Sequence, residues 1–316
     1  MTTSLDRPRV LALVGATATG KTAVGEWVAA RLGAVVVCAD SRQVFRELAA
    51  GTGKPADVER SRLPHALFDV LSVGQRASAG WYARAAGEVC RDALRRGQVP
   101  LLVGGSGLYL RALMSGLSGE PPHDAGVRAR LVGEAAETGA PALHARLREV
   151  DRATADRLHP SDAQRITRAL EVYEASGKPL SWWHAQPPRM EFEADWRIVE
   201  LEVAPALLAS RIATRTRTMF DAGLVDEVRA LVAGGREDAL RALRAVGYDE
   251  ALELLHGHLT RAQAEARTSL RTRQLAKRQR TWFRHQVEAA RQDAASGAVE
   301  SLGIAALAAF GLPGGR

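Results

Sequence analysis

The sequence predicts an α/β protein: a parallel sheet flanked by helices and interrupted by an all-helical insertion. Three observations carry that expectation. The runs Val10–Val14, Ala34–Cys38 and Val99–Val103 are almost continuously apolar, as strands buried on both faces of a parallel sheet are. The first run leads through a glycine-bounded loop directly into an alanine-rich helical segment. Residues 120–190 are instead rich in Arg, Ala and Leu at helical spacing, with Pro121-Pro122 breaking the chain at one end and Pro187-Pro188 near the other. The expected organisation is a core of 8–119 and 191–316, the latter carrying basic C-terminal helices, around an inserted helical subdomain of 120–190.

The loop after the first run is Gly15-Ala16-Thr17-Ala18-Thr19-Gly20-Lys21-Thr22. It meets the template G-x-x-x-x-G-K-[ST] in the strand–loop–helix context that the template requires, so the core is read as P-loop NTPase-like. The glycines let backbone N–H groups curl around an anion, and the helix N-terminus adds partial positive charge. Lys21 reaches the outer phosphate, and the Thr22 hydroxyl is suited to ligate Mg²⁺. The competing reading is a chance glycine loop.

The second run ends in Asp40-Ser41-Arg42-Gln43. Polar residues at the carboxyl end of a parallel strand face the ligand crevice, which makes Asp40 a candidate catalytic carboxylate; an Asp that caps the next helix is the alternative. Gly51-Thr-Gly-Lys-Pro55 and Pro64–Val70 read as irregular loop, where Lys54 and His65 either line the site or are structural. Ala79–Arg96 reads as a helix ended by Gly97. The third run opens into Gly104-Gly105-Ser106-Gly107, with none of the acidic residues that hydrolysis-driven P-loop motors place there. That points to a transferase whose loop binds a phosphorylated donor or leaving group.

Within the insertion, Gln164, Arg165, Ile166, Thr167 and Arg168 open a helix; taken alone they are a solvated helix end. Trp182-Trp183 either stack on bases or pack between subdomains. Arg197–Val203 alternates as a strand, and Leu207–Phe220 reads as a helix on which Arg211 and Arg215, four apart, share a face suited to clamping an anion. The turn Arg244–Asp249 precedes a long helix from about Thr260, in a segment free of Gly and Pro as far as Gly297. Its Arg261–Arg284 portion holds eight basic residues and one acid, with Trp282 and Phe283 inside the stripe, a pattern suited to RNA. Ile304–Phe310 reads as a short helix.

The whole-chain numbers are permissive. A length of 316 residues with 46% hydrophobic content suffices for a large core, and a formal net charge of +7 favours a polyanionic partner. Two cysteines, Cys38 and Cys90, outside any Cys-x-x-Cys pair give neither a disulfide framework nor a zinc site. No apolar run is long enough for a membrane span and Met1–Asp6 lacks a signal peptide's apolar region, so a cytoplasmic protein is expected.

Together these motifs resemble the tRNA dimethylallyltransferases, or tRNA isopentenyltransferases, over nearly the whole chain. The resemblance rests on Gly15–Thr22, Asp40–Gln43, Gly51–Pro55, Pro64-His65, Leu102–Tyr109, His159–Asp162 with Gln164-Arg165, Val246–Tyr248, and Thr272–Gln279 with Thr281-Trp282. It implies transfer of a dimethylallyl group from dimethylallyl diphosphate to the exocyclic amine (N6) of the adenosine just 3′ of the tRNA anticodon. It assigns Asp40 as general base and Lys21, Thr22 with Mg²⁺, Ser106 and Arg215 to the reacting groups. Asp40, Ser41, Arg42, Gln43 and Ser106 would meet the flipped-out adenine and its neighbours. Arg128 and Gln164–Arg168 would hold the anticodon stem-loop from the insertion. Arg244, Ala245, Val246, Gly247, Tyr248 and Asp249 would contact the RNA elsewhere, with Lys277, Arg278, Gln279, Arg280, Thr281, Trp282, Phe283 and Arg284. A monomer is expected. Relative to the family pattern, Ser106 stands in place of Thr, Phe45 of Tyr, Gly53 of Ala and Ala66 of a second His. The alternatives are a small-molecule or nucleotide kinase, which leaves the basic helix unexplained, and a non-catalytic RNA-binding protein, which leaves Lys21, Thr22 and Asp40 unexplained.

Overall fold

The computed structural model describes residues 7–119 and 121–312. Met1–Asp6, where no leader is expected, and Glu120, at the expected start of the insertion, lie outside the described residues. The chain divides into two compact units, Ser115–Met190 and the segments on either side of it.

Among the described residues of the larger unit, six strands form one sheet. They run in the order His65–Ala66, Val35–Cys38, Pro100–Gly104, Arg9–Gly15, Asp195–Glu202 and Ala290–Asp293, and every neighbouring pair is parallel. Leu13 of the central strand lies opposite Val103 on one side and Val199 on the other. Alternation then sends Val10, Ala12 and Val14 into one apolar layer with Val37 and Leu102, and Leu11 and Leu13 into the other with Val36, Leu101 and Val199. The helices Ala79–Arg95 and Gly107–Ser115 cover the first layer, and Lys21–Leu32 and Val299–Ala309 the second. Each fully buried Leu or Val contributes roughly 1.5–3 kcal/mol. The apolar runs therefore dictate the sheet.

Two strands depart from the sequence reading. His65–Ala66, read as loop, is a two-residue edge strand paired with Val36 and Val37. Ala290–Asp293, read as part of the long helix, is the opposite edge. The helix stops at Gln286 because Val287 is extended, at φ −140° and ψ 133°. Three of the four side chains of the edge strand are exposed, so no apolar pattern announces it. Its anchor is ionic: Arg291 Nε donates at 3.2 Å to Glu200, a carboxylate with 1% exposure on the neighbouring strand.

The smaller unit starts at Ser115, five residues before the expected boundary of 120. Helices Ala125–Thr138, Ala140–Val150 and Ala163–Ser176 bury Leu131, Leu143, Leu147, Ile166 and Leu170 in a core of their own. Its ends are clasped by an antiparallel pair, Leu117–Ser118 with Pro188–Arg189, so the unit is not wholly helical. Two-residue strands carry no readable alternation. Trp182 and Trp183 meet edge to face within this unit, and Trp183 Nε1 donates to Ser176 Oγ at 3.3 Å.

Candidate active site

Because the strands are parallel, Gly15, Cys38 and Gly104 all end at one edge of the sheet. The loops that follow them meet there, as sequence order at a carboxyl edge requires. The cavity they enclose is lined by Thr17, Lys21, Thr22, Glu26, Asp40, Gln43, Thr52, Pro55, His65, Phe68, Gly104 and Arg215, among others.

Its cations are unusual in their setting. Lys21 is buried and its Nζ donates to the Ala16 carbonyl at 3.0 Å, folding back over its own loop. Burial pushes the ammonium down to about 8, against the charge of Asp40 and with that of Arg215. Arg215 Nη2 donates to Thr52 O at 3.0 Å, and burial lowers its pKa also, opposed by Asp40. Gly53 makes room for it: a Cβ there would stand 2.1 Å from Arg215 Nη2. Two poorly hydrated cations facing one carboxylate hold a field that an incoming anion would relieve.

Asp40 accepts at Oδ1 from the Arg42 N–H at 2.8 Å, and among the described residues this is the one hydrogen bond to its carboxylate. Both readings of Asp40 are thus partly met: one oxygen ties the turn, and the other remains for the cavity. Ser106 accepts from the Ser41 N–H at 2.8 Å, while its own N–H donates to Ala39 O at 3.0 Å, which fastens the two strand ends together. Gln43 Nε2 donates to Thr52 O and Gly53 O at 3.1 and 3.2 Å. Arg42 reaches Leu243 O at 2.7 Å. His65 faces the cavity with Nε2 buried and, among the described residues, unpartnered, and its Nδ1 donates to Leu63 O at 2.9 Å.

Other expected residues lie elsewhere. Arg211, four residues before Arg215, donates to Ala294 O and Ala295 O, both at 3.0 Å, and so holds the chain after the last edge strand instead of joining a clamp. Lys54 is structural: it pairs with Asp69 and donates to Phe45 O at 2.7 Å. Cys38 is buried, which raises its thiol far above the ordinary range.

The candidate RNA residues divide by burial. Lys277, Arg278, Thr281 and Arg284 are exposed on the helix Arg261–Gln286, as are Gln164 and Arg165 on Ala163–Ser176 and Arg244 just past the helix Glu237–Leu243. Ile166, Thr167, Ala245, Tyr248 and Phe283 are buried at 5% exposure or less, so their side chains do not reach a surface ligand in this conformation. On the long helix it is helical phase, not composition, that decides the side: Ala276 and Phe283, seven apart, mark its buried stripe. Trp282 rests against the backbone of Gly107, where a Cβ would stand 2.3 Å from the ring. Arg128 and Arg168 both pair with the fully buried Glu171, at 2.9 and 3.0 Å, so part of their charge is neutralised inside the insertion. The first half of the basic stripe is balanced likewise, Arg261 by Asp221 and Glu265, and Arg271 by Asp249 and Glu250. Sequence reasoning missed Glu26, which lies one turn after Thr22 and whose buried Oε1 has no hydrogen-bond partner among the described residues. Its spacing of four from Thr22 was the available signal.

The model of the IPP transferase family matches residues 43–286, and that of the isopentenyl transferases residues 8–68. A tRNA dimethylallyltransferase of Stenotrophomonas maltophilia is 42% identical over 292 residues, covering 90% of this chain and 92% of the relative. The chain belongs to the tRNA dimethylallyltransferase family. Another member, from Koribacter versatilis, is 42% identical over 285 residues, with 89% and 91% covered. Among solved structures, the full-length tRNA isopentenylpyrophosphate transferase of Bacillus halodurans superposes with a TM-score of 0.68 at 28% identity, covering 96% of this chain and 97% of that one. A eukaryotic dimethylallyltransferase acting on tRNA, 22% identical with a TM-score of 0.75, covers 97% of this chain and 80% of its own and shares the fold. Membership in this family removes the kinase and the non-catalytic alternatives. Among the described residues, no helix is long and apolar enough to cross a membrane.

Proposed function

We propose that this prenyltransferase acts on tRNA by moving a dimethylallyl group from dimethylallyl diphosphate to the exocyclic amine of the adenosine just 3′ of the anticodon. The observation that carries the reading is one cavity lined by Lys21, Thr22 and Arg215 on its anion-binding side and by Asp40 at its edge. An adenine amine is a weak nucleophile because its lone pair is delocalised, so it needs a base as attack proceeds. The oxygen of Asp40 not engaged by Arg42 takes that proton. Diphosphate leaves readily only when its growing charge is met, which the loop N–H groups, Lys21 and Arg215 do. Phe68, Pro55 and Val103, also on the cavity wall, give the allyl group an apolar surface and keep water from its cationic carbon.

The donor set suits Mg²⁺. Among the described residues no group of three or more acidic, His or Cys side chains could hold a metal by itself, so an ion here would take most of its ligands from substrate phosphates and water. Thr22 would hold it, with Glu26 close by, and it would supply further charge neutralisation to the leaving diphosphate. Exposed Lys277, Arg278 and Arg284, with Gln164 and Arg165, supply contacts to the anticodon stem-loop. The enzyme is assigned to the cytoplasm and to a monomeric state.

The test is mass spectrometry of nucleosides from unmodified tRNA incubated with the protein, Mg²⁺ and dimethylallyl diphosphate, with ATP replacing the donor in a parallel tube. A gain of one dimethylallyl mass on adenosine, absent with ATP, is expected. No gain with the diphosphate donor would sink the reading.

A further inference from the structure

Gln279 is exposed to neither role that its position in a basic helix suggests. Its Oε1 accepts from the Thr17 N–H at 2.9 Å, and its Nε2 donates to Gly105 O at 3.0 Å. One side-chain amide thereby ties the anion loop to the turn after strand Pro100–Gly104. Two close approaches make this possible. A Cβ at Gly105 would stand 2.6 Å from Nε2, so only glycine admits the amide, and Trp282, three residues along the same helix, is seated on Gly107. The helix is held at fixed height over both loops.

Thr17 lines the cavity, and a loop of this kind works by offering successive backbone N–H groups to phosphate oxygens. Here one of those donors is already taken by a neutral oxygen. A longer anion gains nothing from that N–H and meets the partial negative charge of Oε1 instead. We propose that Gln279 is a specificity-determining and positioning residue that withholds the Thr17 N–H and so suits the loop to a diphosphate over a triphosphate. This rests on the diphosphate reading of the same cavity.

The experiment is titration calorimetry of the full chain without RNA, using inorganic pyrophosphate and inorganic tripolyphosphate at equal Mg²⁺. Wild-type protein is expected to prefer pyrophosphate, although tripolyphosphate carries more charge. Gln279→Ala should shift the affinity ratio toward tripolyphosphate roughly tenfold, the scale of one hydrogen bond to a charged group. Gln279→Glu keeps an acceptor for Thr17 and should retain the preference while binding both anions more weakly. Should Gln279→Ala fail to fold, Gly105→Ala displaces the same amide and should shift the ratio in the same direction. An unchanged ratio in folded protein overturns the proposal, as does a loss of affinity equal for both anions or a change confined to the salt dependence of RNA binding. Wild-type protein that binds neither anion would overturn the diphosphate reading itself, and this inference with it.

Discussion

Asp40 and Glu171 are both carboxylates set among arginines, yet they are built for different ends. Glu171 is fully buried and held by Arg128, Arg168 and His123, with partners on both of its oxygens. Burial pushes its pKa up, but the bond from Arg128 and the charge of Arg168 prevail and hold it below the usual range. Asp40 lies at the edge of a cavity with one internal hydrogen bond, facing cations that do not touch it. A saturated carboxylate fixes a fold, and an unsaturated one facing empty space is available to react. Arginine clustering alone does not separate them. The separating property is the number of oxygens left over.

Substitution sharpens the contrast. Asp40→Asn should lower the chemical rate by about 10²–10⁴ with tRNA affinity and thermal stability nearly unchanged, measured by single-turnover kinetics beside equilibrium RNA binding; undiminished turnover would break the comparison. The cations opposite Asp40 give a second measure. Lys21, lowered to about 8 by burial, loses its proton in the free enzyme above that pH, whereas unfolded chain keeps it to about 10.5. Below 8 the folded state carries the full cost of a buried ammonium, and between 8 and 10.5 that cost is relieved as the proton leaves. Diphosphate affinity moves the other way, falling up to about tenfold per pH unit above 8. A flat calorimetric profile between pH 8 and 9.5 would contradict it, and Lys21→Arg should flatten it.

At Glu171 the expected effects reverse. Glu171→Gln should cost about 2 kcal/mol, read as a lower unfolding midpoint, with the single-turnover rate per folded molecule kept. Since the folded pKa is depressed, the wild-type advantage is present above the unfolded value and is lost as pH falls through the folded one. The smallest effect is expected at Lys277. Lys277→Ala should weaken tRNA binding a few-fold and reduce its salt slope by about one, and an unaltered slope would place Lys277 away from phosphate.

What the sequence made legible follows from what was buried. Val10–Val14, Ala34–Cys38 and Val99–Val103 are apolar on both faces, and the loop Gly15–Thr22 has a spacing that few other structures need, so sheet centre and anion site were both readable. The edge strands were not, because His65–Ala66 and Ala290–Asp293 leave their side chains partly in water. Arg211 and Arg215 illustrate the limit at the site. A spacing of four puts them on one side of a helix but about 40° apart, enough for one to enter the cavity and the other to bond the chain after the edge strand. Gln279 was placed on the RNA side by the family resemblance, and only the tertiary fold revealed its bond to Thr17.

The order of strands also bears on how the molecule is made. The central strand Arg9–Gly15 is made before the other strands of its sheet, but its two partners start at Pro100 and Asp195, so its pairing is completed late. Ser115–Met190 appears in that interval with a core and a clasp of its own, able to close while the strand beside which the anion loop sits is still half-paired. The bond from Gln279 to that loop has to wait for the helix Arg261–Gln286, synthesised after the sheet's central strands. A nascent chain therefore carries a finished insertion well before it carries a finished catalytic cavity, and truncation ahead of Gln279 removes the bridge to the anion loop together with the edge strand Ala290–Asp293 and the helix Val299–Ala309.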